Sequence, residues 1–372
     1  MNWNYMQPVT IRFGNGRIRG LAEEVKALGG NRGILITSPS FVKRGLAAKI
    51  QQESEGLICV IYSEVSPNPD IKECEACISM INDHECDFVV ALGGGSVLDC
   101  AKAAAVMCQE ERPVKAYMED ASLLPDTSLP LIAVPTTAGT GSEITCVSVL
   151  SDHEAGVKKP LSCDAFYPTL AIVDPELTYS VPPHTTACTG MDVLCHALEA
   201  YWSKHHFPIG DALAVHALKL VFDYLQLACE QPEHALAREK MAEASVIAGL
   251  AFTIPKTTSA HACSYPLTNL LGIAHGEACG LTIDHFLRIN GAEDDGRLLE
   301  LAKMLGFKDV EAFADGITAL KQSIGVRMDL KDLHLTGEQS EALIQGSKHP
   351  NLLNNPVEIT ETMLRDLYHK LV

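Results

Sequence analysis

DFVVALGGGSVLDCAKAAAVMC (Asp87–Cys108) runs from an apolar stretch through three glycines into an alanine-rich tract. The apolar stretch is short and ends in glycines, so it reads as a buried strand. SVLDCAKAAAVMC reads as the helix that follows. A buried strand turning directly into a helix is the repeating unit of a parallel sheet covered on both faces. Upstream, VTIRFG (9–14), RGILITS (32–38) and LICVIYS (57–63) are expected strands. They alternate with helices over GRIRGLAEEVKALG (16–29), Phe41–Gln52 and IKECEACISMINDH (71–84). Downstream, LPLIAVP (129–135), TCVSVLSD (145–152) and TLAIVD (169–174) continue the strand-like runs.

After VDPELTYSVPP (173–183) the texture changes to helical periodicity. Helices are expected over Thr189–Lys204, Ile209–Cys229, His234–Ala251, Gly276–Asn290, Arg297–Leu305 and Asp309–Ile324. The fold class is therefore an α/β N-terminal domain with a Rossmann-like parallel sheet, plus an all-α helical C-terminal domain. The Pro182–Pro183 pair is the expected boundary, giving residues 1–182 and 183–372.

With 47% hydrophobic and 20% charged residues, the 372-residue chain has a composition that can build sizeable cores. Its net charge of −18 argues against nucleic acid and anionic membranes as partners. No apolar stretch reads as long enough to span a membrane. MNWNYMQPVTIRFG has neither the basic start nor the apolar core of a signal peptide. The 13 cysteines, an odd number, fall mostly within apolar helices and strands, as reduced thiols in a cytoplasm would. Cys74 and Cys77 form a CxxC inside a helix with no second pair downstream, and read as structural.

Two loops have the chemistry of a phosphate cradle. Gly94, Gly95 and Ser96 open a helix after a strand, where glycines admit a phosphate to free backbone N–H groups. The same turn is explained by Ser96 as helix cap with Asp99 three residues on. PTTAGTGSE (135–143) supplies Thr136, Thr137, Thr140 and Ser142 after its own strand, and Asn68 in SPNPD adds a polar group near a third. Asp192 and His196 stand four apart in TGMDVLCHALEAYW, sharing a helix face. His261 (SAHACSYPL) and His275 (IAHGEACG) complete a carboxylate-and-imidazole set suited to Fe²⁺, Zn²⁺ or Mn²⁺. With a further position open, that ion would be a Lewis acid.

SPNPD, ALGGGSVLDCAK, PTTAGTGSE, VDPEL, GMDVLCHALEA and AHGEACG occur in an order that resembles the iron-containing (group III) alcohol dehydrogenase family over nearly the whole chain. The resemblance implies a dehydroquinate synthase-like architecture and an NAD(P)-linked enzyme interconverting a small aldehyde and its alcohol. It also implies a homodimer or larger assembly and iron as the leading metal. It places the metal on Asp192, His196, His261 and His275. The cofactor falls on Asn68, Gly94, Gly95, Ser96, Thr137, Thr140, Lys158 and Leu177, with Lys159 as the alternative to Lys158.

Two departures bear on chemistry. Tyr265 stands where many members carry a further histidine, a candidate proton relay; a phenol is a weaker shuttle near neutrality. Ser38, with Lys43 and Arg44 nearby, replaces an aspartate that would favour NAD, so both NAD(H) and NADP(H) remain open. Lys256, Thr257 and Thr258, just before His261, resemble the branch that reduces phosphonoacetaldehyde or sulfoacetaldehyde. They form a candidate pocket for an anionic tail, which Lys348 and Asn354–Asn355 would close. A broad short-chain alcohol or 1,3-propanediol dehydrogenase is the alternative, and a dehydroquinate synthase-like lyase the remote one.

Overall fold

The computed structural model describes residues 2–293 and 295–372; Met1, the first residue of the expected N-terminal domain, lies outside them. Cα packing divides the chain into two compact units. One comprises Met6–Thr137 and Gly141–Thr178. The other comprises Tyr179–Val372 with Ala138–Thr140 and the N-terminal residues.

The first unit follows the order β1 (Thr10–Phe13), α1 (Leu21–Ala27), β2 (Gly33–Thr37), α2 (Pro39–Lys43), α3 (Leu46–Glu53), β3 (Ile58–Tyr62), α4 (Ile71–Asp83) and β4 (Phe88–Gly93). It continues through α5 (Gly95–Met107), α6 (Val114–Glu119), β5 (Leu131–Pro135), β6 (Val147–Asp152), β7 (Val157–Ser162) and β8 (Leu170–Val173). Six strands pair in the order β1-β8-β5-β4-β2-β3, all parallel. β4 is flanked on both sides and buried throughout, which is why it reads as an unbroken apolar run. Thr37 pairs with Leu92, and Gly93 with Pro135. The carboxyl ends of β2, β4 and β5 therefore come level, and the chain leaves the sheet there at Ser38, Gly94 and Thr136. The alanines of α5 are fully buried, with Ala101 and Ala103–Ala105 all at 0% exposure, and let that helix settle closely on the sheet.

The second unit is helical: α7 (Pro183–Trp202), α8 (Pro208–Glu230), α9 (Ala235–Phe252), α10 (Ser259–Leu271), α11 (His275–Ala292), α12 (Arg297–Met304), α13 (Val310–Ser323), α14 (Gly337–Gly346) and α15 (Glu361–Leu371). α7 to α11 enclose one apolar core. Arg238 of α9 secures the first turns of α7, donating to Thr186 Oγ1 at 2.8 Å and to the Val181 carbonyl at 3.0 Å.

Several elements depart from the sequence reading. The helix expected over Phe41–Gln52 is two, parted at Gly45, whose φ of 74° breaks the helical path. α7 begins at Pro183 rather than Thr189, because proline is well placed in a first turn. β7, with two lysines and a proline, pairs only with β6 in a separate antiparallel ribbon and was not expected as a strand. α10 was missed because Pro266 lies inside it. Among the described residues one helix, α8, is long and apolar enough to cross a membrane. Its Ala214, Leu218, Val221 and Leu225 pack inside the helical core, which accounts for that composition.

The seam between α7 and α11 is set by Gly276. A methyl group there would meet the Cys188 carbonyl oxygen at 2.0 Å and Asp192 Cβ at 2.9 Å. A backbone oxygen cannot swing aside as a side chain can, so the helices touch only because position 276 has no Cβ. Gly276→Ala is expected to cost about 1–3 kcal/mol by overpacking and to lower Tm. Gly337→Ala, in open space at the start of α14, is expected to change stability by no more than about 0.5 kcal/mol. Thermal unfolding of the two variants side by side checks the pair.

Candidate active site

In the α/β unit, Ser38, Gly94, Gly95, Ser96, Thr136 and Thr137 stand at or just beyond the carboxyl ends of β2, β4 and β5, where doubly wound sheets hold ligands. α5 starts at Gly95 with Gly94 as its N-cap and no side-chain cap. The expectation of Ser96 as cap with Asp99 as partner is therefore corrected. Ser96 Oγ instead accepts from the Asn68 N–H at 3.2 Å. Asn68 takes the left-handed conformation (φ 55°), and its Oδ1 accepts from Lys158 Nζ at 2.7 Å. Lys159 reaches the Met118 carbonyl instead, so of the two lysines it is Lys158 that joins Asn68. Burial pushes the Lys158 ammonium below its ordinary pKa, against the pull of Asp99.

Asp99, read as the partner of Ser96, and Ser142, read as part of the second phosphate loop, are engaged within the protein. Ser142 Oγ donates to Asp99 Oδ1 at 2.6 Å and accepts from Lys102 Nζ at 2.8 Å; Asp99 Oδ2 accepts from the Val149 N–H at 3.0 Å. Lys102 is fully buried and also donates to Thr145 Oγ1 and the Val147 carbonyl. Burial lowers its ammonium to about 8, although Asp99 and Glu143 oppose the shift. The network ties the second loop to α5, with the Asp99 and Ser142 side chains turned to partners within the protein. Thr136 is buried, with its N–H on the Gly93 carbonyl, while Thr137 stands against Gly94. Thr140 is half-buried. Leu177 packs on the sheet core from the 3-10 turn after β8, and Ser38 holds the N-cap position of α2 without a side-chain cap bond, its hydroxyl 2.9 Å from that of Ser40.

In the helical unit, Asp192 Oδ1 is the centre of the expected metal set. His261 Nε2 lies 3.5 Å from it, His275 Nε2 3.8 Å and His196 Nε2 3.9 Å. These separations are too long for hydrogen bonds. They are close to the ~3.4 Å edge expected between ligands bound at about 2.0–2.1 Å around a tetrahedral ion. Asp192 Oδ1 and His261 Nε2 are buried with no hydrogen-bond partner. Buried polar atoms left unpaired are costly, and a shared divalent ion would satisfy both at once. The donor set thus fits the metal that the sequence implies.

Burial alone would raise the Asp192 carboxyl, but His196, His275 and His261 outweigh it and hold it below the usual carboxylate range. Burial pushes His196 down to about 4, keeping its imidazole neutral. His196 stacks between Phe252 (4.2 Å) and His261 (4.7 Å). The donor atoms that all lie within 4.8 Å of one another belong to Asp192, His261, His275 and Cys279, so His196 stands slightly apart. Cys279, which the sequence reading passed over, sits one turn after His275 with its sulfur 3.9 Å from that Nε2.

Glu199 was also missed. It is 0% exposed, one turn beyond His196 on the same face of α7. Its Oε1 accepts from the Ala260 N–H at 2.7 Å and from Thr258 Oγ1 at 2.8 Å, capping the start of α10 with a carboxylate from another helix. Its Oε2 receives a short hydrogen bond from His261 Nδ1. That bond fixes the tautomer and leaves Nε2 facing Asp192 as a free ligand atom. Burial alone would raise the Glu199 carboxyl, yet His261 and Thr258 leave it below its ordinary value.

The substrate candidates separate. Thr258 is fully buried; its hydroxyl accepts from Trp202 Nε1 at 2.7 Å and donates to Glu199, so it has no hydrogen left for a substrate. Lys256 is exposed, in the left-handed conformation (φ 58°), and makes no ion pair among the described residues. Thr257 Oγ1 accepts from Asn351 Nδ2 at 2.8 Å, and Asn354 Nδ2 donates to the Thr257 carbonyl. Lys348 instead pairs with Glu361, and Asn355 is buried against Ser259 and Asn290. Tyr265 lies 4.4 Å from the His349 ring, and burial pushes its phenol further above 10. That weakens it further as a proton shuttle.

Residues 8–175 match the iron-containing alcohol dehydrogenase family, and residues 186–372 match the C-terminal part of the same family. The chain belongs to the iron-containing alcohol dehydrogenase family. A solved sulfoacetaldehyde reductase from Bifidobacterium kashiwanohense, in complex with NAD+, is 55% identical, with a TM-score of 0.98 over 100% of this chain and 99% of that one. A sulfoacetaldehyde reductase of Bilophila wadsworthia is 36% identical over 72% of this chain and 70% of its own length. A 1,3-propanediol dehydrogenase of Citrobacter freundii is 30% identical over 99% of this chain and 98% of its own. As an iron-containing alcohol dehydrogenase, the chain is an oxidoreductase.

Glu199→Gln keeps an acceptor for the α10 amides but loses the anion that holds His261. Metal affinity is expected to fall about 10–100-fold with little loss of helix content. Competition against a chromophoric chelator measures it, and unchanged affinity would remove Glu199 from the positioning of His261.

Proposed function

We propose that this chain is an NAD(H)-linked, metal-dependent reductase of a short aldehyde with an anionic tail, sulfoacetaldehyde first among them. The likeness to the Bifidobacterium reductase, 55% identical from end to end, carries the reading. In this reading Asp192, His196, His261 and His275 hold one divalent ion, Fe²⁺ before Zn²⁺ or Mn²⁺. Ser38, Asn68, Gly94, Gly95, Ser96, Thr136, Thr137, Thr140, Lys158 and Leu177 hold the dinucleotide. When bound, the metal supplies a Lewis acid for a carbonyl oxygen, and the dinucleotide supplies the hydride.

The protein's own part is positioning. Glu199 keeps His261 in one tautomer. The Asp99–Ser142–Lys102 network keeps the second loop in one shape before any ligand arrives, which lowers the cost of ordering it later. Lys256 is a local cation on a chain of net charge −18, and an anionic tail needs such a local cation against that field. Thr257, whose oxygen already accepts from Asn351, keeps its hydroxyl hydrogen to donate to the same tail. Thr258 takes no part in substrate contact. The likeness to a 1,3-propanediol dehydrogenase supports a second reading, a short-chain alcohol dehydrogenase without preference for a charged tail.

Steady-state kinetics on sulfoacetaldehyde and propanal, with NADH and NADPH, separate the two. Lys256→Ala is expected to lower kcat/KM for sulfoacetaldehyde about 10–100-fold, the value of a charge-assisted hydrogen bond, and to leave propanal within about twofold. An equal fall for both aldehydes sinks the anionic-tail reading. Chelation is expected to abolish turnover with either aldehyde, and Fe²⁺, Zn²⁺ or Mn²⁺ added back singly shows which restores it.

A further inference from the structure

One helical turn before Asp192, α7 carries a second group of donors that the reaction does not use. His184 and Cys188 stand four residues apart on one face, and Glu277 approaches them from the first turn of α11. The Cys188 sulfur lies 3.7 Å from His184 Nδ1 and 3.8 Å from Nε2, and His184 Nε2 lies 3.6 Å from Glu277 Oε1. One ligand atom from each residue falls within 4.8 Å of the others. Nitrogen and oxygen bound at about 2.0–2.1 Å and sulfur at about 2.3 Å around a tetrahedral ion stand roughly 3.3–3.6 Å apart. The two spacings that His184 makes exceed that by only a few tenths of an ångström, which rotation of its exposed side chain can supply, and the Cys188 sulfur and the Glu277 carboxylate lie within 4.8 Å of each other.

We propose that His184, Cys188 and Glu277 form a second site, for a thiophilic divalent cation of the Zn²⁺ class. The donor types decide the class: thiolate with imidazole and one carboxylate suits Zn²⁺ and its borderline neighbours, whereas Mg²⁺ and Ca²⁺ prefer oxygen alone. Two features favour a site over a chance meeting of side chains. Glu277 is held in place, because its Oε1 accepts from the Arg327 N–H at 2.9 Å. Gly276 lets the α7 and α11 backbones meet directly beside Cys188, so the three donors hang from two helices in close contact. His184 is exposed, and Glu277 also borders an open cavity with Arg327, Asp329 and Asp332. Water can therefore complete the coordination, which gives a peripheral site with exchangeable positions. Binding displaces the thiol proton to solvent and joins the first turns of α7 to α11.

The test is metal stoichiometry on the full chain, dialysed against buffered free Zn²⁺ and measured by elemental analysis. Wild type is expected to hold about two ions per chain, and Cys188→Ser and His184→Asn about one each. Asp192→Asn is also expected to hold about one, having lost the other site. Co²⁺ supplies a readout that does not depend on turnover. In a Cys279→Ser background, a near-ultraviolet thiolate-to-Co²⁺ band is expected to persist and then vanish on adding Cys188→Ser. Circular dichroism confirms folding, and either variant suffices if the other fails to fold. One ion per chain in wild type at saturation overturns the proposal. So does a second ion that survives in a folded Cys188→Ser or His184→Asn variant.

Discussion

The hydrogen bond from His261 to Glu199 is the constraint on which the helical unit turns. A carboxylate with no exposure must be met by donors from every side, and Glu199 meets four: an imidazole, a hydroxyl and two backbone amides. Those donors all belong to the start of α10, so a single buried charge decides where that helix begins and which way its histidine faces. Trp202 donates to Thr258 from the same face of α7 and closes the arrangement. Helix start, tautomer and ligand direction thus have one cause.

The α/β unit reaches similar order by a different route. Lys102 and Asp99 share Ser142, so the loop after β5 is tied to α5, the helix after β4. Two adjacent strand ends are thereby joined through the side chains of the helix that follows one of them. The loop is thus backed by a buried pair of opposite charges on α5.

Much of this was legible in the sequence, and what was missed has a common physical origin. The strands of the sheet could be read because burial on both faces removes the polar residues that would blur them. Asp192, His196, His261 and His275 stand out in the sequence because imidazoles and a carboxylate are conspicuous inside apolar helices, and the structure brings the three imidazoles within 3.9 Å of Asp192 Oδ1. Glu199, at the next turn of the same face, is hidden because it acts through His261, 62 residues away. Cys279 follows His275 by four residues, but a cysteine in an apolar helix looks like core. Thr258, Asp99 and Ser142 are engaged within the protein, and the sequence hides this for a different reason. Their partners lie 59 residues away for Thr258 and 43 for the Asp99–Ser142 pair, and local pattern carries no information about which hydroxyl is already spent. Pro266 hid α10 because the usual penalty for an internal proline was overridden by a helix held from both ends.

Gly276 gives the α7–α11 seam a property of its own. Where two backbones meet without side chains between them, their separation is fixed by main-chain geometry and is indifferent to most nearby substitutions. The seam then acts as a ruler along which donor side chains can be exchanged while their spacing is kept. The chemistry of either donor cluster can then change by swapping the groups at positions 188, 277 or 279, with no need to rebuild the helices that present them.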